Sequence, residues 1–117
     1  MKISELVNQP QLTLVEGTYK PEFQAQVVLE DVYTSDLLSD VIANAPEDSV
    51  LITLQAHKNT VACASLAGIR VILFAHNPRI PEDLVGAAAQ EGVVLLASLL
   101  NQFQLSCLLG KLMEIVC

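Results

Sequence analysis

"LITLQAHKN", Leu51 to Asn59, and "VILFAHNPR", Val71 to Arg79, decide the fold of this chain. Each is an apolar run that breaks at Ala-His, with an asparagine one or two residues later. They carry the only two histidines present. A third run, "GVVLL" from Gly92, breaks at Ala97-Ser98, and Asn101 follows. Short continuous apolar runs suit strands covered on both faces of a parallel sheet. A helical stretch follows each run. The first helix is expected at about Asn59 to Ala67 with Gly68 as its stop, and the second begins at Pro81 and stops at Gly92. The third spans about Asn101 to Val116. Strand then helix, three times over, specifies βαβ crossovers and a mainly parallel sheet flanked by helices, an α/β class domain.

Before the repeats, "QLTLVEG" (Gln11 to Gly17) alternates as a half-buried strand does, and Ala25 to Tyr33 holds a β-branched run that predicts a second strand. Tyr19 to Gln24 reads as a loop around Pro21. In "TSDLLSDVIANAP", Thr34 or Ser35 supplies an N-cap oxygen, Asp36 complements the helix dipole, and Pro46 ends the helix. Asp36 and Asp40 then lie at i and i+4 on a solvated face. Alanine at either should cost about 1 kcal/mol or less.

The bulk composition excludes several classes. The 117 residues fit one domain, 1–117, and 52% of them are hydrophobic. Six Lys+Arg against a net charge of −7 leave no basic patch for nucleic acid or an anionic membrane. Val93 to Gly110 is uncharged, but Asn101, Gln102, Gln104 and Ser106 interrupt it, so no membrane span is expected. Three cysteines without a CxxC or zinc spacing suit a reducing cytoplasm. No phosphate-cradling glycine loop, nucleophile elbow or zinc-helix motif occurs. No catalytic residue, cofactor or metal is therefore assigned.

Parallel strands all leave a sheet at one edge. The three exits therefore place His57, His76 and Ser98 along one rim, with Asn59, Asn77 and Asn101 beside them. Ligands of open α/β sheets bind at this carboxyl edge, where helix N-termini offer N–H groups to an anion. His57, Asn59, His76, Asn77, Ser98, Ser35 and Asp36 are the candidate ligand-binding residues. Plain turn chemistry accounts for the same pattern, since strand exits favour small and polar residues.

Tyr33 to Asn59, above all "SDLLSDVIANA" with "LITLQAHKN", resembles the DRTGG domain family. The resemblance implies a fold like the N-terminal domain of HPr kinase/phosphorylase, and a regulatory or dimer-forming role without catalysis. The family's Gly-Gly pair falls near Asp31 and Val32, and no arginine precedes Arg70, so the signature is degenerate. The first expectation is a stand-alone regulatory domain, homodimeric through the C-terminal helix and sensing a small anionic metabolite at the rim. The helix is apolar over much of its girth, with Leu105, Leu108, Leu109, Leu112, Met113, Ile115 and Val116, which calls for a second partner surface. The alternatives are a pure protein-interaction module using that helix, and a small enzyme with a histidine acid–base group.

Overall fold

In the computed structural model of the chain, residues 1–115 are described. The three repeats supply β3 (Ser49–Thr53), α4 (Lys58–Leu66), β4 (Val71–Phe74), α5 (Glu82–Glu91), β5 (Val94–Ala97) and α6 (Gln102–Leu112). Ahead of them come α1 (Ile3–Leu6), β1 (Thr13–Leu14), α2 (Pro21–Gln24), β2 (Asp31–Thr34) and α3 (Leu38–Asn44). The five strands form one mixed sheet in the order β1-β5-β4-β3-β2. β2 through β5 are parallel neighbours, and β1 closes the far edge antiparallel to β5.

Every residue of β3, β4 and β5 is buried, which is why their sequences show no polar alternation. The period of two survives instead as a choice of face. Val50, Ile52, Val71, Leu73, Val94 and Leu96 pack towards Ile3 and Leu6 of α1 and Leu105 and Leu109 of α6. Leu51, Ile72, Phe74 and Leu95 pack towards Val41 of α3, Val61 and Ala64 of α4, and Leu84 and Ala88 of α5. Three successive crossover helices thus share one face, as expected when every crossover has the same hand. Ala64 and Ala88 are fully buried, which lets α4 and α5 sit close to the sheet. α5 ends as its sequence predicts, with Gly92 left-handed at φ 71° and its N–H returning to Ala88 O.

The first 45 residues depart from the sequence reading. The strand expected over 11–17 shrinks to Thr13–Leu14, because the chain turns at once: Thr18 N–H returns to Val15 O and Gly17 takes φ 91°. The strand expected over 25–33 begins only at Asp31. Val28 instead makes an isolated bridge to Lys2, and Leu29 N–H donates to Met1 O, so that run ties down the N-terminus. The loop expected over 19–24 contains one helical turn with Pro21 at its first position, where a missing N–H costs nothing. α3 starts at Leu38 with Leu37 as its cap residue, so neither Thr34 nor Ser35 caps it and Asp36 lies outside its first turn.

α6 also differs in its packing. Leu105 and Leu109 are fully buried, and Leu108 and Met113 pack against the same core. The sheet and the N-terminal segment therefore cover most of the apolar girth, and of the leucines offered for a partner face none is exposed. Phe103, in the first turn, is the large apolar side chain of α6 left open, at 76% exposure. Val116 lies outside the described residues.

Candidate functional site

The register pairs Thr53 with Phe74 and Phe74 with Ala97, so β3, β4 and β5 leave the sheet side by side. The candidate residues that follow them occupy this carboxyl edge in different ways.

At the β4 exit, His76 and Asn77 are consecutive left-handed residues, with φ of 63° and 45°. Such angles are uncommon outside glycine, although asparagine tolerates them. What holds them is the neighbouring exit: His76 N–H donates to Leu100 O at 3.0 Å and Asn77 N–H to Ser98 O at 2.7 Å. Both side chains are exposed. Ser98 itself is buried. Its hydroxyl donates to Gln11 O at 2.9 Å and accepts from Leu100 N–H at 3.2 Å. Ser98 therefore fastens the N-terminal loop to the β5 exit, and both of these bonds are internal.

At the β3 exit, His57 precedes α4 as its cap residue, with its ring Nε2 3.2 Å from Gln55 Oε1 and no side-chain bond to the helix. Thr60, whose hydroxyl donates to Gln55 O, ties the turn instead. Asn59 is exposed and lines a shallow groove of about 220 Å³ between α4 and α5, with Lys58, Ala62, Ala87 and Gln90. Asn101 caps α6: its Oδ1 accepts from Gln104 N–H at 2.8 Å, and Gln104 Oε1 accepts from Asn101 N–H. The three asparagines thus have three separate placements: a groove, a strained turn and a cap.

Asp36 is the largest change from the sequence reading. Its Oδ1 accepts from Thr53 Oγ1 at 3.0 Å, Leu54 N–H at 2.8 Å and Gln102 Nε2 at 3.1 Å. It pins the β2 exit to the β3 exit and to the start of α6. Thr34 and Ser106 reinforce the link through hydroxyls 2.7 Å apart. Ser35 accepts from Leu37 N–H at 3.2 Å. Asp40 alone keeps the solvated helix position. Its carboxyl is held below the ordinary carboxylate value, first by the Asn44 amide at 2.9 Å, then by the Ser35 hydroxyl and by Tyr33 OH at 2.8 Å. The same hydrogen bond raises the Tyr33 phenol.

Lys58 and Arg79 flank the exits alongside the two histidines, and α4 and α5 start here, so the positive ends of two helix dipoles reach this edge. Glu82 and Asp83 in the first turn of α5 answer part of that charge. Four large apolar side chains lie open at or beside the same exits: Leu37, Leu54, Leu99 and Phe103. Among the described residues, the side-chain hydrogen bond at a histidine ring is the one from His57 to the Gln55 amide, and no cluster of three metal-ligating side chains occurs.

A larger cleft, of about 440 Å³, lies at the opposite, amino edge of the sheet. Lys20, Phe23 and Gln24 line it from one side, and Ser65, Arg70 and Glu91 from the other. No sequence motif marks it, because its walls come from the ends of α2, α4 and α5 and the entry to β4.

No family model and no curated protein matches the chain. Among solved structures it is similar to the crystal structure of the CBS and DRTGG domains of the regulatory region of Clostridium perfringens pyrophosphatase, complexed with its activator, diadenosine tetraphosphate. The TM-score is 0.71 at 8% sequence identity, over 99% of this chain and 50% of that one. The chain thus spans about half the length of its structural neighbour. The likeness is one of fold: an α/β domain with a five-stranded mixed sheet flanked by helices, of the type present in that regulatory region. No helix among the described residues is long and apolar enough to cross a membrane.

Proposed function

We propose that this chain is a non-catalytic, cytoplasmic regulatory domain that senses a small anionic ligand at the carboxyl edge of its sheet. One observation carries this reading: adjoining strand exits gather His57, Lys58, His76 and Arg79 at the starts of α4 and α5, in a chain whose net charge is −7. Backbone N–H groups at helix starts and nearby cations are the ordinary means of holding an anion. The structural neighbour, a regulatory region complexed with a nucleotide activator, supports a sensing role. Exposed His57, Asn59, His76 and Asn77 would touch the ligand. Ser35, Asp36 and Ser98, engaged in internal bonds, would hold the loops that present them.

The test is a thermal-shift series with inorganic phosphate, pyrophosphate and adenine nucleotides. A ligand at a hundred times its Kd stabilises by about 2.7 kcal/mol. Lys58→Glu and His76→Ala should abolish the shift while leaving the unliganded melting temperature in place. Absence of stabilisation by every anion, or stabilisation that both variants retain, would refute the proposal.

A second reading rests on Leu37, Leu54, Leu99 and Phe103. Exposed apolar side chains in one region mark interaction surfaces. In this reading the edge is a protein interface, and the start of α6 is where two copies meet as a homodimer.

A further inference from the structure

We infer that the amino-edge cleft is a second ligand site, built for a small zwitterion with an apolar body, the chemistry of a free hydrophobic amino acid. This inference stands apart from the carboxyl-edge reading, since the two sites lie at opposite ends of the strands. The volume of about 440 Å³ falls within the range of small-molecule pockets, roughly 300–1,000 Å³.

The charges decide the ligand class. Arg70 and Lys20 are the cations lining the cleft, and Glu91 is its acid. Arg70 Nε lies 3.4 Å from Asp48 Oδ1, the one ion pair among the described residues, so part of its charge already has a partner. Lys20 and Glu91 add one charge of each sign, neither of them in an ion pair among the described residues. Among the described residues, Glu91 accepts a side-chain hydrogen bond from the Ser65 hydroxyl, at 3.2 Å.

The helix ends disfavour a simple anion. α4 and α5 both finish at this cleft, so two negative dipole ends face it. They favour an ammonium beside Glu91 and oppose a ligand carrying only negative charge. A carboxylate is matched by Lys20. The ligand body has Phe23, 77% exposed on α2, to cover it. An aromatic ring left this open gains by packing against an apolar group.

The wall is firm where orientation matters. Gln24 is 8% exposed, its Nε2 donates to Gly92 O at 3.0 Å, and its Oε1 accepts from Lys20 N–H. That amide clamps the α2 turn to the end of α5, and so fixes Lys20 and Phe23 relative to Glu91.

The experiment is amide chemical-shift titration of the full chain with leucine and phenylalanine, each also as its N-acetyl and carboxamide form. The free amino acids should shift resonances of residues 20–24, 65–70 and 89–92 and saturate. Blocking either end should weaken binding about tenfold or more, the loss of one charge pair. Glu91→Gln should remove the preference for a free ammonium and keep the one for carboxylate, and Lys20→Gln should do the reverse. Both positions are exposed, so both variants should fold, checked by their melting temperatures. No saturable shift in the cleft, or equal binding of the free and the blocked forms, would overturn the inference.

Discussion

Replacing Asp36 by alanine should cost about 2–3 kcal/mol, well above the loss expected of a solvated helix residue. Its Oδ1 receives three donors, and they are not equivalent. Thr53 is fully buried, so its hydroxyl proton loses its acceptor, at a cost of about 1–2 kcal/mol. The Leu54 N–H is near solvent, and water replaces part of the bond, leaving about 0.5–1 kcal/mol. The Gln102 amide can turn to water at little cost, but the start of α6 then loses its tie to the β2 exit. For 117 residues the unfolding entropy is about 0.25 kcal/mol/K, so the loss appears as a fall of roughly 10 °C in Tm. Urea unfolding should show a lower midpoint with an unchanged slope. Asp36→Asn keeps an acceptor oxygen and should recover about half the loss. A loss below about 0.5 kcal/mol for Asp36→Ala would refute the account of Asp36 as the link between the exits.

Leu109→Lys should unfold the chain or cost about 3 kcal/mol or more, because Leu109 is fully buried against the sheet and cannot report on a dimer face. Phe103→Lys should fold normally and, if two copies meet at the start of α6, give monomer by size exclusion with light scattering. A wild-type monomer at tens of micromolar would remove the homodimer from the proposal. The Tyr33–Asp40 bond should show in stability against pH. Asp40 is depressed on folding, so its contribution is present above its unfolded pKa and is lost as pH falls through the lower folded value. Tyr33 is raised, so its contribution is complete below about pH 10 and is lost as the phenol ionises. Tyr33→Phe should flatten the alkaline loss. An unchanged alkaline limb in that variant would count against the bond.

The central strands were legible because parallel strands are covered on both faces and must be written as unbroken apolar runs. Pro81 before α5 and Gly92 after it punctuate the chain by backbone geometry alone. The shared edge of His57, His76 and Ser98 followed from the same fact, since strands running one way end at one side. Local signals failed where a partner lay far along the chain. "TSDLLSD" carries the letters of a capped helix start. Yet Asp36 is drawn out of the helix by Thr53, 17 residues away, and Gln102, 66 residues away. Ser98 reads as a rim hydroxyl until Gln11 O, 87 residues distant, takes its proton. The girth of α6 looked like an unmet surface because a helical pattern counts apolar residues without knowing what covers them; the sheet and the N-terminal segment cover most of them. The cleft at the amino edge had no sequence signal at all. Its charges and its aromatic ring sit on segments that meet only when α2 docks on the end of α5 through Gln24. Strand identity and direction are properties of a few neighbouring residues, whereas burial and hydrogen-bond partners depend on which distant segments fold against them.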